Sequence, residues 1–582
     1  EEALASAQRM VELTPDNALG HTRVAELALA RGDRAASLRA AQRAVALAPN
    51  SSDAQTILGF AYLSEGQDSA ARSAFDSAVR LNSADPRARM GLGLTRIRQG
   101  QLQAGREDLE LAASLDPENS LLRAYLGRAY AEEGRAQDAA EQYARAQRSD
   151  PQDPTAYFFS ALLLAENNQP VSAQAQMQEA LARNENRAVY RGQELLEEDL
   201  VLRKANEISI DRKLGFDDAA RAKASDALVR TPGSGLLHRA LGDAMATLPR
   251  SQPTRESEYL QALLRDPLGT LPTPLFVVES ARSSATMTPQ NGFFQSIGAG
   301  QTGYNEFGAV FNATAWNAQL DGLVADQNTS SDQVRVAGVI GKVGIALSQL
   351  NFKTDGFGEF DRLDNMIWQG AIQAELDTGT RLYAERRHIN SERRSVVSPA
   401  EPFYYTPFET DEQRLRTRLG FRQKLGESHE LLLLNSWDDI KQDVIWLPTT
   451  YNGLTEPTFN NKLVSHISTR EAQYAFHSNG LNLQLGSAAG DAAAANDQGG
   501  GTINRTRDRA KTSYLYAQYE VLPQLLVEAG VAKDKQKADS GFKQRYSNPK
   551  LGLRWQIVPS GTLRLASFRV VNRFMASSAT LE

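Results

Sequence analysis

The spacing of apolar residues divides the chain into two regions. Up to about residue 266, apolar positions recur at helical spacing, and after Gly303 they alternate with polar positions as they do in strands. Within 414–425, Arg416 and Arg418 alternate with Leu415 and Leu419. Residues 267–303 between the two regions are rich in Ser, Thr, Gly and Pro, which predicts a linker. We therefore expect a multidomain chain that is α-helical first and β-stranded afterwards.

The helical region contains a repeat of 34 residues. A proline in a short turn recurs at this interval, except that Ser83 occupies the third position. The prolines are Pro15, Pro49, Pro117 and Pro151. Glycines recur in the same register at Gly59, Gly93 and Gly127. This period indicates stacked helix pairs in which small residues allow close approach, and because one pair cannot bury its apolar face alone, stacking supplies the core.

The repeat resembles the tetratricopeptide repeat over residues 1–187. We expect the irregular helical segment 188–266 to cap this α-solenoid. Ala3, Ala7 and Met10 occupy second-helix positions, so the array is expected to begin inside a repeat and to lack an upstream part. The resemblance implies a concave groove that binds a protein partner. Four charged first-helix residues are candidates for this groove, or else ordinary solvated charges: Arg23, Glu26, Arg87 and Arg128.

Residues 304–582 contain about 13 alternating segments, most of them roughly 9–13 residues long. Tight turns such as Asn479-Gly480 alternate with longer loops, predicted at 327–332, 354–363, 391–411, 441–467, 490–511 and 535–547. Outer-membrane barrels show this alternation, with short periplasmic turns and long external loops. The pattern predicts an antiparallel up-and-down transmembrane β-barrel. A soluble all-β domain with uneven loops is the alternative.

Short motifs in this region resemble the barrel of TonB-dependent receptors. They are Tyr304-Asn305-Glu306-Phe307, Thr354-Asp355-Gly356-Phe357, the run 548–555 and the run 561–565. Together the two resemblances imply a tetratricopeptide-repeat protein with a C-terminal barrel of this kind. Single-chain bacterial barrels have even strand numbers, so the odd segment count indicates a barrel that is incomplete in this chain.

Arginines concentrate on two neighbouring predicted strands. A charge ladder is predicted to face the lumen, formed by Arg381, Glu385, Arg387, Arg414, Arg416, Arg418 and Arg422. Left unpaired, these arginines would favour anionic solutes or acidic polysaccharide. The other interpretation is a neutralised ladder, in which Glu375, Glu385 and Asp411 offset the positive charge.

Composition and motifs exclude several functions. The net charge of -6 argues against a nucleic-acid partner, and the absence of cysteine excludes thiolate metal sites and cysteine nucleophiles. The six histidines show no metal-binding spacing, and no phosphate-binding loop or serine-nucleophile motif occurs. No apolar run is long enough for a transmembrane helix. We therefore expect neither an enzyme nor a resident cofactor or metal.

Three functions remain open. The first is an outer-membrane channel or receptor of a Gram-negative cell, with outer-membrane lipid around the barrel and the repeat array in the periplasm. It would transport or export a solute or polymer, and the array would recruit a protein. The second is a soluble periplasmic scaffold with a β-rich binding module. The third is an exopolysaccharide export porin, which the order of repeats and barrel resembles in architecture alone.

Overall fold

A computed structural model describes most of the chain. The described residues are 2–189, 193–245, 252–265, 316–340, 342–356, 362–376, 379–396, 407–426, 428–447, 450–451, 454–455, 459–478, 480–497, 503–522, 524–558 and 561–569. The predicted linker 267–303 lies outside them.

The first region consists of antiparallel helix pairs. Its helices are α1 (Glu2–Leu13), α2 (Ala18–Ala30), α3 (Arg34–Leu47), α4 (Ser52–Ser64), α5 (Asp68–Leu81), α6 (Pro86–Arg98), α7 (Leu102–Leu115), α8 (Ser120–Glu132), α9 (Ala136–Ser149), α10 (Pro154–Glu166) and α11 (Pro170–Ala182). Side chains of Asn17, Ser51 and Asn119 accept the backbone N–H three residues ahead and cap α2, α4 and α8. The helix pairs confirm the predicted repeat.

Glycines at the repeat positions make room for large side chains. A methyl group on Gly127 would lie 2.5 Å from the ring of Tyr143, and one on Gly59 would lie 2.6 Å from Phe75. Phe75 and Tyr143 are themselves buried at equivalent positions one helix later. Between the helices of each pair, Gly32, Gly66, Gly100 and Gly134 have positive φ. Only glycine adopts this conformation without strain, which explains their spacing of 34 residues.

Further helices follow the array. They are the 3-10 helix η1 (Asn184–Val189), α12 (Gln193–Lys213), α13 (Asp217–Arg230), α14 (Gly235–Ala244) and α15 (Gln252–Arg265). The chain divides into two units, and the boundary after Ala227 places α14 and α15 in the same unit as the sheet. This position differs from the prediction, in which all of 188–266 formed capping elements of the array. No helix of the described residues combines the length and apolar character needed to span a bilayer.

The second unit contains one large antiparallel sheet. Its strands are β1 (Asn317–Ala325), β2 (Thr329–Ile340), β3 (Val343–Thr354), β4 (Leu363–Glu375), β5 (Thr380–Val396), β6 (Pro407–Lys424), β7 (His429–Trp446), β10 (Phe459–Ser478), β11 (Leu481–Asp497), β12 (Ile503–Leu522), β13 (Leu525–Ala538), β14 (Lys543–Val558) and β15 (Gly561–Phe568). The short hairpin of β8 (Thr450–Tyr451) and β9 (Leu454–Thr455) lies between β7 and β10.

In the described residues, the 13 strands of the sheet pair in chain order, with β1 and β15 at its two edges. This agrees with the predicted up-and-down topology, and with a barrel that is incomplete in this chain. From β2 onward the connections alternate as predicted: 341–342, 376–379 and 425–428 are short, whereas 355–362, 397–406 and 447–458 are long. The first connection, 326–328, is short, although a longer loop was predicted there. The two ends of the sheet are called the turn end and the loop end accordingly.

The predicted loops were too long, because the strands extend into them. β10 and β12 each have 20 residues and include parts of the predicted loops 441–467 and 490–511. The predicted loop 327–332 is a tight hairpin in which Gln327 and Asn328 have φ of 60° and 56°. Positive φ at both central residues is the geometry of a type I′ turn, which suits the twist of paired strands.

The two faces of the sheet have opposite polarity. The inner face, defined as the face that contacts α15, buries many polar side chains: Gln333, Arg335, Gln369, Gln373, Arg418, Glu430, Glu471, Gln473, Asp534 and Gln536. The outer face exposes large apolar side chains: Leu320, Leu347, Trp368, Ile372, Leu382, Leu419, Leu433, Leu485, Leu515, Leu551, Trp555 and Leu565.

Candidate functional site on the inner face of the sheet

Helix α15 packs against the inner face between β4 and β7. Leu260, Leu263 and Leu264 form one apolar cluster with three residues of the sheet, Tyr383, Leu432 and Leu434. Every described side chain of the helix except partly exposed Glu258 is buried, including Ser257, Gln261 and Arg265. A helix buried on all sides belongs to an interior, so α15 fills space over the inner face rather than lying on a solvated surface.

A glycine of β6 permits the close approach of this helix. A methyl group on Gly420 would lie 2.6 Å from Cδ2 of Leu264. Two strands away, on β4, Nε2 of Gln373 donates to the carbonyl oxygen of Leu263 at 2.7 Å. This carbonyl lies in the last turn of α15, where helix carbonyls lack an intrahelical partner. The sheet therefore both accommodates α15 and satisfies its C-terminal end.

An ion pair anchors the C-terminal residue of α15. Nε of Arg265 donates to Oε2 of Glu430 at 3.0 Å, and a terminal nitrogen of the same guanidinium lies 2.8 Å from this oxygen. Oε1 of the same carboxylate accepts from Arg422. The Arg265 and Glu430 side chains are 2% and 3% exposed, so water does not screen their attraction.

Within the second unit, helix α14 and the segment before it make further contacts with α15 and with the sheet. Tyr259 of α15 donates to Asp243 at 2.5 Å, which ties the two helices together. Nδ2 of Asn482, at the turn end of β11, donates to the carbonyl oxygen of Val229 at 2.6 Å. The helical hairpin is thus held at the turn end of the sheet by several contacts.

All seven residues of the predicted charge ladder lie on the inner face. Arg418 donates to both oxygens of Glu385 at 2.8 Å, and Tyr383 donates to the same carboxylate. Arg414 and Arg416 share Oδ1 of Asp438 at 3.0 and 2.8 Å. Arg381 donates to Glu375 at 2.9 Å, and Arg387 lies buried in the same row of β5.

The neutralisation of the ladder differs in part from the prediction. Glu375 and Glu385 accept from arginines, as one interpretation had it, but Asp411 is exposed and on the opposite face of β6. The prediction for Asp411 was wrong because it lies an odd number of residues from Arg414, and alternate residues of a strand face opposite sides. Asp438 and Glu430, which the sequence analysis missed, supply the other carboxylates.

The predicted groove residues do not form one group. Arg23 donates to Glu26 at 2.5 Å, and Arg87 lies 3.7 Å from Glu26 and 3.2 Å from Asp53. These three predicted residues therefore form one exposed chain of ion pairs along α2, α4 and α6. Arg128, in contrast, is 3% exposed and pairs with Glu132 and Glu166.

The functional residues that sequence reasoning missed had weak signals. Glu430 is the single acidic residue beside the apolar run 431–434, and Gly420 interrupts a row of arginines. Both irregularities mark contacts with α15, but neither indicates by itself that a helix covers the sheet. Within the described residues, no cluster of His, Asp and Glu is arranged to hold a metal ion.

Comparison with known families matches both regions. Residues 22–86, 61–120 and 90–154 match the tetratricopeptide repeat, and residues 364–571 match the TonB dependent receptor-like β-barrel. The N-terminal region thus contains tetratricopeptide repeats, and the C-terminal region is a barrel domain similar to that of TonB-dependent receptors. No curated protein sequence matches this chain.

Solved structures match part of this chain. A chain of the APC/C hetero-tetramer Cut9-Hcn1 is 19% identical, with a TM-score of 0.39, over 46% of this chain and 50% of its own length. The match therefore spans half of that chain. YrrB, a TPR protein with an unusual peptide-binding site, is 19% identical over 31% of this chain and 93% of its own, with a TM-score of 0.24. A tetratricopeptide repeat protein from Parabacteroides merdae is 12% identical over 45% and 94%, with a TM-score of 0.33.

Proposed function

We propose that this protein is an outer-membrane channel or receptor whose tetratricopeptide array recruits a protein partner in the periplasm. Its barrel passes or captures a solute or polymer, and the chain carries no enzymatic activity. The array and barrel families support this general assignment.

The main support for the proposal is the polarity of the sheet, whose outer face is apolar and whose inner face is polar. The outer face exposes Leu320 by 76%, Leu551 by 61% and Leu485 by 54%. Soluble proteins rarely leave so extended an apolar surface uncovered, whereas a barrel in lipid needs it. The inner face buries arginine, glutamate and glutamine, as expected of a polar lumen. This arrangement favours the membrane barrel over a soluble β-rich binding module.

The contacts of α15 support a periplasmic position for the N-terminal region. Tyr383, Gly420 and Leu432 lie close to the short connections 376–379 and 425–428. Short connections are on the periplasmic side of outer-membrane barrels. The helix that precedes the sheet in sequence would therefore approach it from the periplasm.

The part of the inner wall around the ladder favours anionic cargo. Six ladder arginines and Arg265 lie there with five carboxylates, those of Glu375, Glu385, Glu412, Glu430 and Asp438. The ion pairs neutralise most of this charge but leave a local excess of positive charge, which favours anionic solutes or an acidic polymer. Since α15 occupies part of this wall, cargo must pass beside it or displace it.

Gel mobility and fractionation test the proposal. The protein folded in detergent should migrate differently with and without boiling, partition with outer membranes, and conduct ions in planar bilayers with a preference for anions. Solubility without detergent, together with unchanged mobility, would refute the barrel and leave the soluble scaffold.

A further inference from the structure

Positive side chains form two rows on the outer face of β10–β14, near the loop end. The first row contains Arg470, Lys511, Lys535 and Arg545, and the second contains Arg509, Lys537 and Lys543. We call these seven residues the cationic band. Each of them is exposed.

Like charges face each other directly across neighbouring strands of the band. Lys535 is opposite both Lys511 and Arg545, and Lys537 is opposite both Arg509 and Lys543. Directly opposed like charges destabilise a sheet, because their Cβ atoms are only about 4.5–5.5 Å apart. The sheet therefore carries four repulsive pairs that a bound anion would relieve.

Few carboxylates offset this charge. Asp491 accepts from Arg507 and Arg509 at distances between 2.9 and 3.1 Å. In the described part of the chain, Lys511, Lys535, Lys537, Lys543 and Arg545 form no ion pair. The residues of the band also line a shallow depression of about 460 Å³.

The position of the band determines the kind of anion. Along β12, Lys511 is followed on the outer face by Leu515, Ala517, Tyr519 and Val521. Along β14, Arg545 is followed by Leu551, Leu553, Trp555 and Ile557. The band thus borders the apolar surface on its loop side, which in an outer-membrane barrel is the external side. Charged groups there lie at the height of lipid headgroups.

We propose that the cationic band binds the phosphate groups of an anionic glycolipid in the outer leaflet of the membrane. The acyl chains would cover the apolar rows below, and the phosphates would bridge the opposed lysines and arginines. The inference rests on the proposed membrane barrel. A soluble anion would use the charges alone, whereas a lipid uses both surfaces at once.

Lipid binding to the detergent-folded chain tests this site, with lipid A as a bis-phosphorylated probe. Wild type should bind lipid A saturably, and removal of both phosphates from the probe should weaken binding at least tenfold. The triple variant Lys511→Gln, Lys535→Gln, Arg545→Gln should lose affinity by about 10- to 100-fold. A matched variant, Lys353→Gln, Lys441→Gln, Lys462→Gln, removes three exposed positive charges elsewhere on the outer face and should bind as wild type does.

Two results would overturn the proposal. One is equal affinity of the triple variant and wild type for lipid A. The other is full competition by millimolar inorganic phosphate, which would show a site for free anions. The heat-dependent gel shift of each variant is measured in parallel. If the wild-type chain shows no heat-dependent gel shift, the barrel itself is refuted. If the shift is present but the triple variant binds lipid A as well as the matched variant does, only the proposed role of the cationic band is refuted.

Discussion

Arg265, at the end of α15, donates a hydrogen bond to Glu430 on β7 and forms an ion pair with it, although 165 residues separate them in sequence. Both side chains are almost fully buried, and Glu430 also accepts from Arg422. The pair links the helical hairpin before the sheet to the wall of the sheet itself. If α15 moves, this contact must therefore break or Glu430 must move together with the helix.

Replacing Glu430 with glutamine should release α15. Removing one partner of a buried ion pair typically costs about 3–5 kcal/mol, because the remaining charge is left uncompensated. In this variant, the positive charges left without their partner would be those of Arg265 and Arg422. We expect faster hydrogen exchange in residues 257–265 and a larger conductance in planar bilayers. The control Glu409→Gln removes the partly buried partner of Arg394, which is remote from α15, and should change neither. Unchanged exchange in the Glu430 variant would contradict the anchoring role.

A bulky side chain at Gly420 should displace α15 by steric conflict. Even a methyl group there would lie 2.6 Å from Leu264. Gly420→Val should therefore loosen residues 257–265. The heat-dependent gel shift should remain, because the backbone pairing of β6 with β5 and β7 does not depend on this side chain. Gly552→Val is the control, since its nearest neighbour is the flexible carboxylate of Glu528 at 3.0 Å. Equal protection of residues 257–265 from hydrogen exchange in both variants would show that the packing of α15 does not depend on Gly420.

The repeat array should be sensitive to a methyl group at Gly127. Its Cβ would meet Tyr143 at 2.5 Å and the carbonyl oxygen of Ala139 at 3.2 Å. Overpacking of this kind costs about 1–3 kcal/mol. Urea unfolding followed by helical circular dichroism should show this loss for Gly127→Ala. Ser114→Ala, at an exposed helix position, should stay within about 0.5 kcal/mol of wild type. A smaller loss at Gly127 than at Ser114 would refute the packing argument.

Asp108 should make the stability of the array depend on pH. Burial raises the pKa of this carboxyl above its ordinary value, although Arg96 at 2.6 Å and Arg89 at 3.5 Å lower it. Because the pKa of Asp108 is higher in the folded state than in the unfolded state, its protonated form stabilises the fold. This stabilisation is fully present below the unfolded-state pKa and is lost as the pH rises through the folded-state pKa.

The urea midpoint of the helical signal should therefore fall between pH 4 and pH 7. Asp108→Asn removes the titrating group, so its midpoint should fall less over the same range. A steeper fall in the variant than in wild type would contradict the direction of the shift.

The repeat array was predictable because its signals are local. The prolines 34 residues apart, and small residues such as Gly59 and Gly127, fix helix pairs without knowledge of distant contacts. The 13 strands followed from alternation and from tight turns such as Asn479-Gly480. Strand ends were less certain, because strand pairing continues beyond the apolar residues into polar segments that were predicted to be loops, as at Arg505 and Arg507.

The packing of α15 was not predictable from periodicity. Leu260, Leu263 and Leu264 suit a capping helix as well as a helix inside a barrel. The distinction depends on Gln373, Gly420 and Glu430, which are more than 100 residues away. Similarly, helix register placed Arg128 with the exposed groove candidates, although its surroundings bury it against Glu132 and Glu166.

Cysteine accessibility tests the membrane barrel most directly, because the chain contains no native cysteine. Leu433→Cys and Leu515→Cys place single thiols on the apolar outer face, and Lys511→Cys places one in the cationic band. In intact outer membranes, a membrane-impermeant maleimide should label Lys511→Cys but not the two apolar positions, which should react only after unfolding in detergent. Equal labelling of all three before unfolding would show that water, not lipid, covers the outer face, and would contradict the account.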